Sequence, residues 1–448
     1  MFLRRAVDLL AVALTACARS STGDSVLVVL DPSLDKDAYS VFWNGLTDKG
    51  FNLTFRSPKD AQPVVIQDEV AQFSHVVVFA PDSKNLAQDL SPQALVSLLD
   101  KGTNLLLALS PNKQTTVNTL AAEFSLVLPP PGTPLVSHFP ERDTPATVVP
   151  VSPPANHPVL SPGLPPVWFS GVPFAYTPNP LLLPILHAPA ESFAADTTSD
   201  SGADAVVESA DKTGEGLWAG SSLALVAGFQ ATTGARATFV GGAELFSDEF
   251  AQKEALGGKP SGNKQFSQDV VGWTFQETNA LRIEKVAHHR VNETESRETY
   301  TINDDVVLLV QVFTMHVSKF NPKKNTWEPY SGIQDMQLEF TMLDPHIRTA
   351  LPAVPGKPGE YSVTFRVPDR HGVFKFVVDH KRKGWTHLQS TTVVPVVPPR
   401  HDEYPRFLSA AWPYYIGAMS TSVAFVLFSA LWLSGDDREG KKKGIKTE

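Results

Sequence analysis

Several groupings of residues in this chain have the types and spacing for chemistry. His288-His289-Arg290 combines two imidazoles with a guanidinium, a set that suits an anion or a metal. Adjacent residues on a strand point to opposite faces, however, so a surface or inter-domain structural role is the favoured reading. Asp304-Asp305 offers two carboxylates before an apolar run. A hard cation needs several more oxygens, which the sequence does not place nearby, and a turn is favoured there. Gly214-Glu215-Gly216-Leu217-Trp218-Ala219 has the glycine spacing of a dinucleotide loop. It leads into Ser222 to Phe229, which reads as a strand and not as a helix whose N-terminus could hold pyrophosphate. Asn52-Leu53-Thr54 and Asn292-Glu293-Thr294 are glycosylation sequons. Asn52 falls inside a predicted strand, which argues against its modification. Asn292 lies in a polar stretch and is the candidate acceptor.

Other chemistries fail on residue type. The one cysteine, Cys17, lies in an apparent leader, so the body beyond it has no disulfide, Cys-ligated zinc or thiol nucleophile. No His-Glu-x-x-His helix, Gly-x-Ser-x-Gly elbow or Walker A loop occurs. No catalytic residue, cofactor or metal is expected. The formal charge of −9 argues against a nucleic-acid partner. With 42% hydrophobic and 19% charged residues over 448 positions, the chain has material for several folded domains.

Residues 25–130 alternate between strand and helix patterns. Val26 to Leu30, Phe51 to Phe55, Val76 to Phe79 and Leu105 to Leu109 are apolar runs of strand length. Asp37 to Lys49 reads as a helix, with Tyr39, Phe42, Trp43 and Leu46 at helical spacing and Gly50 as its stop. Ser91 to Asp100 reads as another, with Ser91 as N-cap and Pro92 at the first position. Such alternation predicts an α/β domain with a parallel sheet covered on both faces, resembling flavodoxin-like and amidotransferase-like folds. Ligands of these folds sit at the carboxyl ends of the strands, where Asp31, Asp82 and Ser110 are the candidates. The two aspartates stand beside Pro32 and Pro81, so turn formation is the favoured role. An amidotransferase of this class would need the missing thiol.

Residues 131–280 begin proline-rich, with 18 of the 37 prolines between Pro129 and Pro189, and turn β-rich or α/β after that. The strand candidates are Leu223 to Gly228 and Ala237 to Gly241, and Val270 to Phe275 is a candidate helix end. The pattern leaves open whether this region is a separate domain or completes the first. Residues 281–397 carry short β-rich runs (Val306 to Phe313, Met336 to Met342, Tyr361 to Val367, Val373 to Val378, Thr391 to Val397) separated by turn clusters, and predict a β-sandwich.

The two ends bear membrane signals. Residues 1–18 read as a signal peptide: Arg4 and Arg5, an apolar stretch to Ala16, and Ala16-Cys17-Ala18 as a cleavage site. Leu14-Thr15-Ala16-Cys17 also fits a bacterial lipobox, and that alternative stays open. After a lumenal linker, 398–412, residues 413–434 are expected to form a transmembrane helix. Its apolar part, Ile416 to Ser434, is about 28 Å long at roughly 1.5 Å per residue, close to the hydrocarbon thickness. Trp412, Tyr414, Tyr415 and Trp432 mark the interfaces. Arg438, Lys441, Lys442, Lys443 and Lys446 follow the span, so the positive-inside rule makes 435–448 a cytosolic tail and places the body in the lumen. Gly417 and Thr421, like Ala418 and Ser422, are four apart, a spacing that lets a partner helix approach.

Within this frame, longer stretches resemble the 48-kDa-type subunit family of eukaryotic oligosaccharyltransferase. They include Asp48-Lys49-Gly50-Phe51-Asn52-Leu53-Thr54-Phe55, Leu245-Phe246-Ser247-Asp248, His288-His289-Arg290-Val291, Gln337-Leu338-Glu339-Phe340 and Asp344-Pro345. The longest runs from Gly372-Val373-Phe374-Lys375-Phe376 through Gly384-Trp385-Thr386-His387-Leu388 to Tyr404-Pro405-Arg406-Phe407 and Pro413-Tyr414-Tyr415. The resemblance implies a complex of the endoplasmic reticulum membrane that moves a preassembled oligosaccharide from dolichyl diphosphate to Asn-x-Ser/Thr. It also implies that the active site belongs to a different, many-span subunit, and that this chain is a non-catalytic member of the hetero-oligomer. None of its eight tryptophans is adjacent to another, so the catalytic subunit's paired-tryptophan signature is absent. Lys446 stands third from the end after Gly444 and Ile445, which departs from the family's lysine-based retrieval signal. The competing readings are a lumenal enzyme on the amidotransferase-like fold and a stand-alone, membrane-anchored sugar- or peptide-binding module.

Overall fold

The computed structural model describes residues 20–196, 218–255, 258–291, 293, 295–296, 298–301, 310–402 and 409–435. Cys17 and the leader, Gly214 to Leu217, Asn292, Asp304-Asp305 and the basic tail lie outside the described residues.

The first unit is built on a seven-stranded sheet. Its strands are β1 (Ser25–Leu30), β2 (Asn52–Arg56), β3 (His75–Phe79), β4 (Asn104–Ala108), β5 (Leu182–His187), β6 (Ala224–Gln230) and β7 (Arg236–Val240). The order across the sheet is β5-β6-β7-β4-β3-β1-β2. β2, β1, β3, β4 and β7 run parallel, while β6 is antiparallel to both of its neighbours. Val26 to Val29 and all of β3 and β4 are buried, because helices cover both faces and remove any polar alternation.

One face carries α1 (Ser40–Asp48) and α5 (Asn263–Thr274), with the short α4 (Asp248–Gln252) at their edge. Phe42, Trp43 and Leu46 of α1 and Phe266 and Val270 of α5 join Val26, Val28, Val77 and Leu106 in one core. On the other face α2 (Pro92–Asp100) and α3 (Thr116–Glu123) set Leu95, Leu98, Leu99, Val117 and Leu120 against Leu27, Val29, Val76 and Leu105. Ser91 caps α2 by accepting from the Ala94 amide, and Pro92 opens the helix, as its missing N–H costs nothing there.

The helix expected over 37–49 is in fact a 3-10 turn at Lys36–Tyr39 followed by α1. The side chain of Asp248 ends the turn: it accepts from the Ser40 and Val41 amides and so caps α1 from 208 residues away. The helix end expected at 270–275 is the last turn of the longer α5. Polar residues in its first two turns had masked its start.

The second unit has two sheets. One contains β8 (Leu281–Arg290), β10 (Val310–Asn321), β11 (Thr326–Pro329) and β14 (Glu360–Arg366). The other has the order β9-β16-β15-β12-β13, made of β9 (Tyr300–Thr301), β12 (Gln337–Thr341), β13 (Pro345–Ala350), β15 (Gly372–His380) and β16 (Leu388–Val397). Phe313, Met315 and Val317 of the first sheet share a core with Leu338, Phe340, Phe374, Phe376 and Val396 of the second. On β15 the residues alternate, Phe374, Phe376 and Val378 inward and Val373, Lys375 and Asp379 outward, which is the period of a strand buried on one face. The helix α6 (Trp412–Ser434) stands apart, with no buried residue. At 23 residues it is long and apolar enough to cross a membrane.

Candidate functional site

The carboxyl ends of β1 and β3 open on a polar cleft of about 480 Å³ lined by Asp31, Asp82, Ser83, Lys59, Lys84 and Lys113. The three residues expected there do not converge on its centre. Asp31 is buried, and its carboxylate accepts from the Ser33 amide and hydroxyl at 3.1 Å and from the Ser83 hydroxyl at 2.8 Å. The Ser33 bonds close the turn after β1, and the Ser83 bond ties it to the loop after β3. Asp82 pairs with the Lys113 ammonium at 2.6 Å, and that bond holds its carboxyl below the usual range. The Ser110 hydroxyl accepts from the Lys113 amide at 3.2 Å, and its own amide donates to Asn118 Oδ1. Each group is satisfied by its own turn or by a neighbouring loop, Asp31 by Ser33 and Ser83, Asp82 by Lys113 and Ser110 by Lys113 and Asn118, the arrangement of loop-fixing residues rather than of a general acid or base.

His288-His289-Arg290 ends β8. The His288 ring stacks on Phe376 at 5.2 Å and its Nδ1 bonds the Tyr300 hydroxyl at 2.7 Å. Burial and the neighbouring His289 push its pKa down, so it stays neutral. His289 Nδ1 lies 2.9 Å from the Arg290 carbonyl, and Arg290 donates to Thr301 Oγ1 at 2.5 Å. The cluster ties β8 to β9 within the second unit.

The opposite, amino end of the sheet holds a buried polar network that the sequence reading missed. Asn104, fully buried at the start of β4, uses its side chain on four groups. Its Oδ1 accepts from the Arg236 amide and from Gln276 Nε2, both at 2.9 Å. Its Nδ2 donates to Thr22 Oγ1 and to His75 Nδ1. Since the Gly23 carbonyl can only accept, the His75 proton sits on Nε2, 3.1 Å from it, and Nδ1 is the acceptor. His75 is 0% exposed and stacks on Phe275 at 4.1 Å; burial pushes its pKa down to about 3.

Arg236 is the centre of this end. It is 0% exposed, and burial lowers its pKa to about 9, so it remains charged at neutral pH. Its guanidinium donates to the carbonyls of Trp273 at 2.6 Å, Thr278 at 2.8 Å and Asn279 at 2.9 Å, and to the Thr386 hydroxyl at 3.2 Å. It also lies over the Trp273 ring, 4.8 Å from the centroid. Trp273 in turn donates from Nε1 to the Gly384 carbonyl at 3.0 Å. The Thr386 amide donates to the Asn279 carbonyl, and the Phe320 amide to that of Ala280. Gly384, at φ +83°, has Pro158 so close that a Cβ would come within 2.8 Å of its Cγ. The segment 384–388 that carries the family resemblance is thus the tongue by which the second unit locks into the first. A buried guanidinium, five N–H donors in a fixed plane, suits a cradle of carbonyls that no lysine could span. The readable signal was one arginine inside the otherwise apolar run Ala235-Arg236-Ala237-Thr238-Phe239-Val240.

On α6 the Thr421 hydroxyl donates to the Gly417 carbonyl at 2.7 Å and the Ser422 hydroxyl to that of Ala418 at 2.9 Å. Those hydroxyls satisfy their protons within the helix and keep lone pairs free to accept. Nothing lies within 4 Å of a Cβ placed on Gly417.

Comparison with known proteins gives the same division of the chain. Residues 17–277 match the OST48 N-terminal domain and residues 288–436 the OST48 middle domain. A Danio rerio protein named as the 48 kDa subunit of dolichyl-diphosphooligosaccharide–protein glycosyltransferase is 31% identical over 98% of both chains. Proteins of the same name from Caenorhabditis elegans, 32% identical over 93% of both chains, and Arabidopsis thaliana, 29% identical over 92% of this chain and 93% of that one, are also similar.

Proposed function

The chain belongs to the OST48 family, and from that premise we propose that it is the non-catalytic 48-kDa-type subunit of oligosaccharyltransferase. In this role it supports transfer of a preassembled oligosaccharide from dolichyl diphosphate to Asn-x-Ser/Thr of nascent proteins. The observation that carries the reading is the match of both units, end to end, to relatives that bear that name.

The chemistry of the chain supports a scaffold. Asp31, Asp82 and Ser110 are spent on bonds within and between their loops, and the buried Arg236 and Trp273 bond Thr386 and Gly384 of the second unit instead of facing a cleft. The catalytic site is assigned to a many-span partner subunit. The body, 25–397, is placed in the lumen of the endoplasmic reticulum, α6 in the membrane and 435–448 in the cytosol. The strand order β2-β1-β3-β4, all parallel, supports a flavodoxin-like reading of the first unit. The shared sheet supports joining 25–130 and 131–280 into one domain. Two sheets around one core support a β-sandwich in the second unit. In α6, Gly417, Ala418, Thr421 and Ser422 form the face offered to a partner helix.

The test is recovery from mild-detergent membranes. The chain should bring down a many-span protein, and the recovered complex should glycosylate an Asn-x-Thr peptide while the chain alone does not. Transfer by the isolated chain overturns the non-catalytic assignment, and recovery without partners overturns the subunit assignment.

A further inference from the structure

The Asn52-Leu53-Thr54 sequon occupies the first three residues of β2, the outermost strand on one side of the central sheet. Leu53 and Phe55 turn toward the core that α1 covers. Asn52 and Thr54 point to the other face and are exposed. There, α2 and α3 cover the inner strands, and no residue of β2 joins the core beneath them. Among the described residues the Asn52 carboxamide reaches only Asp24 Oδ2, at 3.4 Å, long for an N–H···O bond. The strand placement that argued against modification therefore leaves both sequon side chains in the open, on the uncovered margin of the sheet.

We infer that Asn52 carries an N-linked oligosaccharide in the mature protein; this rests on the lumenal orientation proposed above. Asn52 Nδ2 forms a bond to the anomeric carbon of the first sugar. The bond from that carbon to the diphosphate oxygen breaks, its electron pair leaves with the phosphate, and one Nδ2 proton passes to a base. The co-reactant is the lipid diphosphate oligosaccharide of the proposed activity, so the chain is a substrate of the reaction it supports. A glycan at this position also has a physical use. Among the described residues no strand lies beside the outer backbone edge of β2, and an unpaired edge is a template for pairing with another chain. A bulky, hydrated substituent on the end of that strand blocks such approach.

The full-length chain, expressed in a eukaryotic host with Asn292→Gln so that the other sequon is silent, is digested with a peptide-N-glycosidase and its mobility compared. Thr54→Ser retains the sequon and Thr54→Val removes it while keeping a β-branched strand former. The Asn292→Gln chain and its Thr54→Ser derivative should gain mobility on digestion, and Thr54→Val should already run at the digested position. No gain in mobility, with the body protected from protease in sealed microsomes, overturns the inference alone. No gain with the body degraded overturns it together with the lumenal orientation.

Discussion

Arg236 and Thr386 lie 150 residues apart, and the guanidinium of one donates to the hydroxyl of the other at 3.2 Å across the seam between the two units. A charge taken out of water is costly unless it is hydrogen-bonded, and the carbonyls and hydroxyl around Arg236 meet that need. Arg236→Met should leave the Thr278 carbonyl without its donor, at about 1–3 kcal/mol for the unmade buried bond, while the Trp273 and Asn279 carbonyls lose one donor each and keep the Gln276 and Thr386 amides. The expected outcome is a loss of about 1–3 kcal/mol, seen as a lower unfolding midpoint and faster proteolysis near 277–281. Arg236→Lys should recover only part, because one ammonium cannot span the plane. A midpoint equal to wild type would show that the seam does not depend on this residue.

Gly228 sits under Trp273. A Cβ on Gly228 would fall 2.5 Å from the Trp273 ring, so Gly228→Ala must shift a fully buried indole. The overpacking should cost about 1–3 kcal/mol. Trp273→Phe should cost about 1 kcal/mol more than its lost area, through the bond to the Gly384 carbonyl. Because phenylalanine makes room, the double variant should be less destabilised than the sum of the two singles. Strict additivity in chemical denaturation would separate the two residues.

His75 makes stability depend on pH with a definite sign. Its folded pKa, about 3, lies below the ordinary value of 6.5, so the folded chain refuses a proton that the unfolded chain takes up. The contribution is whole above pH 6.5 and declines as pH falls from there toward 3, by about 1.4 kcal/mol per pH unit. His157, His288 and His380 are also pushed down by burial and act in the same direction. His75→Phe keeps the stack on Phe275 and removes the proton site. It should therefore be less stable at pH 7, with Asn104 short of an acceptor, yet lose less on acidification to pH 5. Equal slopes for the two proteins would show that His75 titrates normally.

The membrane face of α6 is tested by Gly417→Leu with Ala418→Leu. Helices in lipid associate by close packing and hydrogen bonds, and two leucines would hold a neighbour off by about a side-chain diameter while favouring insertion. The variant should reach the membrane at normal levels and recover fewer partners in digitonin, with under-glycosylated Asn-x-Thr sites in the cells that carry it. Recovery equal to wild type would show this face to be lipid-exposed.

Short-range signals carried much of the fold. Val26 to Leu30 is a strand because a run of β-branched and apolar residues has no other place to bury both faces, and Ser91-Pro92 starts a helix because its capping groups are local. The same holds for α6, whose length and lack of charge are properties of composition. The candidate site was less legible. Asp31 and Asp82 stood where ligands are expected, and only the distances to Ser33, Ser83 and Lys113 gave them to a turn and to bonds between loops.

What the sequence by itself determined was the strand–helix alternation of 25–130, the β-rich 281–397 and the apolar helix, which rest on periodicity and local composition, and the family, which rests on the resemblance of particular stretches such as Asp48 to Phe55 and Gly372 to Phe376. Tertiary structure decided the rest. It put β7, more than 100 residues downstream, beside β4, with β6 and then β5 beyond it, and so joined the proline-rich region to the first sheet through β5. It buried His75, Asn104 and Arg236 at one end and set Thr386 against them. It also left Asn52 and Thr54 exposed within a strand. Burial and hydrogen-bond partnership are sums over neighbours from distant segments, and no window of sequence contains those neighbours.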